Sequence, residues 1–324
     1  MSSLAVIILA AGDGTRMKSA WPKVMHQIAH RPMLRHVLDA AGALQPQRTL
    51  VVIGKHMAEV AAVAAPAETV VQSPPLGTGH AVKVALDALG DFAGDVLVLV
   101  GDAALITTET LASLIADRRR APEAAVAVLG MRVTEANAYG RLMMGSDGSL
   151  ESIVETRDAT AEQRKITLCN SGIIALDGRH ARGLVAAIEN KNAKREYYLT
   201  DVVAIARQRG LICRAIEAPA EETVGVNSRA ELAVAEATMQ QRLRGKHMAA
   251  GVTLVDPTTV YFGADTVVGR DTVIEPSVVF GPGVRVGEGV EIRAMSHIAG
   301  AIIGDGAIVG PFARLRPGTE LGPR

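Results

Sequence analysis

Aromatic side chains make up only 3% of this 324-residue chain, although 48% of it is hydrophobic. Its cores must therefore be filled by Ala, Val, Ile and Leu, the usual content of buried parallel strands and of β-solenoids, and so apolar a composition excludes general disorder. Cysteine is almost missing: Cys169 and Cys213 are the 2 present, and neither belongs to a C-x-x-C or Cys/His pattern, which excludes a disulfide framework and a zinc site and fits a reducing cytoplasm. There is no excess charge of either sign. Lys+Arg and Asp+Glu stand at 34 each, so no basic field exists to neutralise a nucleic-acid backbone or an anionic membrane, and any phosphate the protein handles must be met locally. No apolar run approaches the roughly 18 to 20 residues that span a bilayer. Leu4 to Ala11 lacks a basic flank and runs straight into a glycine loop, so it reads as a strand and a soluble protein is expected.

What is there falls into two textures. Up to about Gly225, β-branched runs (Ala5–Leu9, Thr49–Ile53, Asp95–Val100, Ala124–Leu129, Leu168–Ala175) alternate with helix-period segments (Met33–Ala43, His80–Leu89, Thr108–Arg118, Tyr197–Arg207). That alternation predicts an α/β domain with a mainly parallel sheet covered on both faces. Ser228-Arg229-Ala230-Glu231 then reads as a capping box opening a linker helix to about His247, and Arg118-Arg119-Arg120 as a solvated helix end. Beyond Gly251, aliphatic or Phe residues recur at Phe262, Val268, Ile274, Phe280, Val286, Ile292 and Ile298, then at Ile303, Val309, Leu315 and Leu321: a step of six with one slip to five. Gly follows most of these positions. Short strands turning a corner every sixth residue give a β-solenoid, whose units must stack to bury their single apolar residues. The expected boundaries are 1–227 for the catalytic domain, 228–250 for the linker helix and 251–324 for the solenoid.

The first strand ends in Leu9-Ala10-Ala11-Gly12-Asp13-Gly14-Thr15-Arg16-Met17, with Lys23 following in Trp21-Pro22-Lys23. Small residues let backbone amides close on an anion, and two cations would serve a triphosphate. A dinucleotide fingerprint would need glycine at Met17, and a P-loop would need Gly-Lys-Ser/Thr, so neither applies. An ordinary strand-turn-helix with two solvated cations is the alternative that two glycines alone leave open.

The whole string resembles the opening of the bacterial bifunctional N-acetylglucosamine-1-phosphate uridyltransferase/glucosamine-1-phosphate acetyltransferase family. The likeness runs on through Gln72, Leu76-Gly77-Thr78-Gly79-His80-Ala81, Gly101-Asp102, Tyr139-Gly140-Arg141, Ile153-Val154-Glu155, Asn170-Ser171-Gly172, Glu196-Tyr197-Tyr198-Leu199-Thr200-Asp201 and Gly225-Val226-Asn227 into the hexads. The resemblance implies a Rossmann-like nucleotidyltransferase domain followed by a left-handed parallel β-helix. It implies transfer of UMP from UTP to N-acetylglucosamine 1-phosphate, giving UDP-N-acetylglucosamine and pyrophosphate with Mg²⁺ as cofactor. Thymidylyl or guanylyl transfer is the alternative within the class. A nucleotide-sugar-binding regulator without catalysis, and a trimerisation module built on the hexads, are readings from other classes; retention of Arg16, Lys23, Asp102 and Asn227 together argues against the first.

Residue by residue, the resemblance implies catalytic roles for Arg16 and Lys23. It implies nucleotide contacts from Leu9, Ala10, Ala11, Gly12, Gln72, Gly77, Thr78, Val100 and Gly101, and sugar contacts from Gly140, Glu155, Asn170 and Asn227. Asp102 and Asn227 would hold the metal: a carboxylate at the carboxyl edge of a parallel strand suits a hard cation that keeps water and phosphates as its other ligands. Bland alternatives stand beside these roles. Asp102 could hold a turn, Asn227 could cap the helix after it, and Gln72 could be a surface residue before Ser73-Pro74-Pro75. Ala104 stands where the family often has Pro, and Ser171 where Thr is common. The family assembles as a homotrimer and binds acetyl-CoA in later coils. Since the sequence stops at Arg324, only Arg316 matches that second site, and acetyl transfer is expected to be lost.

Overall fold

The computed structural model describes residues 3–12, 14–133, 138–192 and 194–323; Asp13 of the glycine loop lies outside them. The chain divides into two compact units, Met1–His26 with Met33–Ser228 and Gln27–Pro32 with Arg229–Arg324.

In the first unit nine strands form one sheet: β1 (Leu4–Leu9), β2 (Arg48–Gly54), β3 (Glu68–Gln72), β4 (Asp95–Val100), β5 (Val126–Arg132), β6 (Arg141–Met144), β7 (Leu150–Val154), β8 (Leu168–Asp177) and β9 (Cys213–Ala218). Their order is β9-β5-β8-β4-β1-β2-β3, with β6 bridging β8 and β7 off this path. Pairing is parallel from β4 through β1 and β2 to β3, whereas β8 runs antiparallel to both β4 and β5. The period-2 rule for side chains is visible in β1. Ala5 and Ile7 join a core with helices α3 (Thr78–Leu89), α6 (Gly178–Ala186) and α7 (Asp201–Gln208), while Val6 and Ile8 join another with α1 (Met33–Gly42), α2 (Ala58–Ala64) and α4 (Thr108–Arg119). Helix starts carry their own signals: Thr107 accepts from the Thr110 amide at 3.3 Å, and Asp177 from that of Arg179 at 2.9 Å.

Two sequence expectations are corrected here. The helix expected from Tyr197 begins at Asp201, because the Tyr197 main chain is already committed, donating to the Leu76 carbonyl (2.8 Å) and accepting from the Gly79 amide (2.8 Å). Arg118 is not solvated. It is 4% exposed and ion-paired with Asp95 and Asp177, which the antiparallel register of β8 and β4 sets opposite one another; Arg119 pairs with Asp95 as well.

The second unit is a helix on a stack of coils. Strands of two residues, from Thr253–Leu254 to Glu320–Leu321, build three narrow parallel sheets, so three hexads complete one turn: Val273 pairs with Glu291, 18 residues on. Where the spacing slips to five, Glu291 pairs with Ile308 instead, 17 residues on, and the ladder continues without a break. The inward positions include Phe262, Ile274, Phe280, Ile292 and Ile298, all fully buried. Helix α9 (Arg229–Ala249; α5 and α8 are the single turns Ala161–Arg164 and Ala220–Thr223) closes the stack. Its Gln240 amide clamps the Phe262 main chain from both sides, donating to the carbonyl at 2.8 Å and accepting from the amide at 2.7 Å. The hairpin Gln27–Pro32 belongs to this unit too, with Ala29 in its core.

Candidate active site

Within the first unit, the carboxyl ends of the parallel strands open on a cleft of about 940 Å³, the position in which open α/β sheets hold their ligands. Leu9 ends β1 there, and Ala10, Ala11 and Gly12 continue the lining. The strand end is pinned: the Ala10 amide donates to the Val52 carbonyl at 2.8 Å and the Gly101 amide to the Leu9 carbonyl at 2.9 Å. Those bonds leave the amides of Ala11 and Gly12 without an acceptor among the described residues, so the anion-facing part of the loop is narrower than Leu9 to Gly12. Gly14 has φ +65°, and a Cβ there would run into the Lys23 side chain, so only glycine lets the loop and Lys23 sit together.

Lys23 follows Pro22, whose φ of −53° starts a single 3₁₀ turn. Its ammonium is ion-paired with Asp102 and donates to Asn227 Oδ1 at 2.8 Å. Asp102, 8% exposed, stands just beyond the last residue of β4. Behind it Gly225 packs so closely that a Cβ would lie 3.1 Å from Asp102 Oδ2, and the Val226 amide donates to the Asp102 carbonyl at 3.2 Å. Asn227 Nδ2 is spent on the Gly225 carbonyl at 2.9 Å, which turns Oδ1 toward Lys23. Arg16 lines the same cleft, is exposed, and has no ion pair with any described residue.

Gln72 ends β3 at 5% exposure, which removes the surface alternative. Its Nε2 donates to the Gly77 carbonyl at 3.0 Å and lies 3.2 Å from His80 Nδ1, a contact that sequence reasoning missed by treating His80 as a helix-start residue. Gly77 is held at φ +108°, where a Cβ would come within 2.6 Å of the Tyr197 carbonyl oxygen. Thr78, at the start of α3, accepts from the Leu199 amide at 3.0 Å.

On the far wall Glu155 follows β7. Burial pushes its carboxyl above the usual range; the Thr200 hydroxyl, donating at 3.2 Å, opposes this, while the charges of Asp158 and Asp201 add to it. Gly140 and Asn170 are joined to this wall. The Asn170 amide donates to the Gly140 carbonyl at 2.8 Å, and a Cβ on Gly140 would sit 3.4 Å from Glu155 Oε1. Gln72, Gly77, Thr78, Val100, Asp102 and Glu155 therefore line the cleft with the loop and the two cations, whereas Gly101, Gly140, Asn170 and Asn227 stand just outside its lining. Thr15, Arg157, Lys194, Glu196 and Tyr198 also line it. Arg157 and Lys194 come from irregular segments, where no periodic signal distinguishes them from solvated cations. Arg316 lies exposed on a turn of the second unit, its carbonyl accepting from the Thr319 amide at 3.1 Å.

Comparison with known proteins gives the frame. A model of the MobA-like NTP transferase domain matches residues 6–166, and one of the bacterial transferase hexapeptide (six repeats) matches residues 265–300. The bifunctional protein GlmU of Paramagnetospirillum magneticum is 54% identical over 321 residues, covering 99% of this chain and 71% of the relative. This chain belongs to the GlmU family. The GlmU of Azorhizobium caulinodans is 51% identical over 99% of the chain and 72% of its own length, and that of Rhodospirillum rubrum 56% identical over 82% and 59%. The chain thus spans 59% to 72% of the length of these GlmU relatives. The hexapeptide match makes the coils those of a left-handed parallel β-helix.

Membership of the GlmU family implies a divalent metal cofactor, and the residues present fit one. Two hard oxygen donors, Asp102 and Asn227 Oδ1, converge on a single positive charge that the Lys23 ammonium supplies. A hard cation of this kind is commonly bound by one or two protein oxygens and otherwise by phosphates and water.

Proposed function

We propose that this chain transfers UMP from UTP to N-acetylglucosamine 1-phosphate, releasing pyrophosphate and UDP-N-acetylglucosamine. The observation that carries the reading is the convergence of Lys23, Asp102 and Asn227 at the mouth of a cleft whose glycine loop and Arg16 offer further positive charge. In this reading Asp102 and Asn227 hold Mg²⁺, which when bound would neutralise charge on the phosphates. The sugar phosphate, with a second pKa near 6, is largely dianionic at neutral pH and attacks the α-phosphorus without a general base. Arg16, Lys23 and the amides of Ala11 and Gly12 meet the charge that builds on the α-phosphoryl and the departing pyrophosphate.

Base recognition is assigned to Gln72, whose Nε2 is already oriented by Gly77 and His80, leaving Oε1 for the uracil N3–H. Glu155, with Gly140 and Asn170 beside it, is assigned to the sugar hydroxyls. The family match and the buried thiols of Cys169 and Cys213 support a cytoplasmic site of action. The test offers the protein UTP and dTTP together with Mg²⁺ and a mixture of sugar 1-phosphates, then identifies the product by mass. UDP-N-acetylglucosamine should dominate; a thymidylyl-type preference for dTTP, or no pyrophosphate release, would refute the reading.

A further inference from the structure

The place between Asp102 and Asn227 is filled by a side chain of the protein itself. Both oxygen donors are backed by the same segment: the Val226 amide holds the Asp102 main chain, Gly225 packs against the Asp102 carboxylate, and Asn227 bonds the Gly225 carbonyl through its own Nδ2. Asn227 cannot turn Oδ1 away from Lys23 without losing that bond. Lys23 differs in kind, because its main chain is anchored by the 3₁₀ turn, with the Met25 amide donating to Pro22 at 2.9 Å, while its charge rides on a four-carbon stem with several rotamers. The lysine and aspartate side chains are 17% and 12% exposed, so solvent ions screen the pair only weakly.

We propose that Lys23 is a resident counter-ion for the metal ligands, so that it and the divalent metal exclude one another until a nucleotide draws the lysine away. The inference rests on the reading above that Asp102 and Asn227 are those ligands. An ammonium at hydrogen-bonding distance from both oxygens occupies the volume that a metal bound to the same oxygens would need, and two cations in contact there would repel. Removal of the lysine to bulk water would abandon a largely buried carboxylate, a costly change when nothing replaces it. The cleft supplies a replacement for the other partner. Lys23 lines the same cleft as Ala11, Gly12, Thr15 and Arg16, so a triphosphate held there offers the ammonium new oxygens as the metal takes the old ones. The exchange leaves no charge without a counter-charge: before it one cation faces one carboxylate, and after it two cations share the carboxylate and a polyanion. Metal and nucleotide binding are thereby coupled, each raising the affinity for the other. The free protein keeps its ligands convergent while having little affinity for metal alone.

The test is binding of Mn²⁺ alone, read from the free-ion EPR signal without nucleotide, to the wild-type protein and to Lys23→Met, Lys23→Gln and Lys23→Arg. The neutral variants should bind at least tenfold tighter than wild type, the gain should vanish in K23M/D102N, and Lys23→Arg should remain weak. UTP should tighten Mn²⁺ binding to wild type beyond what UTP alone binds, and by a smaller factor in Lys23→Met. If both neutral variants bind Mn²⁺ no tighter than wild type while UTP still creates an Asp102-dependent site, the exchange is refuted and the metal assignment stands. If no Mn²⁺ site depends on Asp102 even with UTP, both fall.

Discussion

At the scale of single residues, the cleft lining combines groups bonded into the fold with groups that have no ion pair among the described residues. Arg16 is the clearest of the second kind. It is exposed and has no ion pair among the described residues, so its removal should leave stability within the usual ±0.5 kcal/mol of a surface change. Arg16→Ala should lower kcat by about 10²-fold or more, the cost of losing one transition-state charge, with a smaller change in KM. Steady-state kinetics beside a thermal melt checks both halves, and unchanged turnover would end its catalytic assignment. Arg16, Lys23 and Asp102 were legible in the sequence because short-range spacing identifies them, a strand, a glycine loop and a strand end. The His80–Gln72 contact was not, since nothing in a sequence says that the first turn of a helix meets the end of a strand eight residues earlier.

At the scale of elements, the β4–β8 register shows why composition misjudges charge. Asp95 and Asp177 are paired across antiparallel strands and both are buried. For Asp177 burial alone would raise the pKa, but the hydrogen bonds from Arg179 and the charges of Arg179 and Arg118 outweigh it and leave the carboxyl below its usual range. Arg118→Met should cost about 3–5 kcal/mol, because it strands buried charge rather than only deleting a contact. Urea denaturation would read this, and a loss below 1 kcal/mol would show that Arg119 and Arg179 suffice. The strand-helix alternation and the hexads were readable because each is a local period. Strand β8 was placed by its β-branched run, but its reversed direction was not, and that reversal makes the end of α4 an internal charge cluster. The hairpin Gln27–Pro32 escaped notice for the same reason: its strands are two residues long and its core partner, Ala29, packs among residues more than two hundred positions away.

At the scale of the molecule, acid should attack the second unit through one imidazole. His247 lies in α9, 5% exposed, its ring stacked on Phe262 at 4.3 Å and Phe262 on Phe280 at 5.1 Å. Burial first, and the neighbouring Lys246 charge second, push its pKa down to about 4. Its Nε2 has no hydrogen-bond partner among the described residues, as befits a ring kept neutral. The unfolded chain, with an ordinary pKa near 6.5, then binds more protons than the folded one between pH 6.5 and 4, so stability rises with pH across that window. This contribution is whole above about pH 6.5, is lost as pH falls toward 4, and changes no further below it. Between pH 7 and pH 5 the loss should be about 2 kcal/mol from this group alone. His247→Phe keeps an aromatic ring against Phe262 and removes the proton site, so the variant should lose less stability than wild type over the same interval. Other titrating groups act on both proteins alike and cancel in the difference. Pulsed hydrogen exchange of the coil amides at matched intrinsic rates would place the effect in the second unit. Equal pH slopes for the two proteins would mean that the ring finds water or a partner on protonation, and that the stack around Phe262 opens without unfolding the coils.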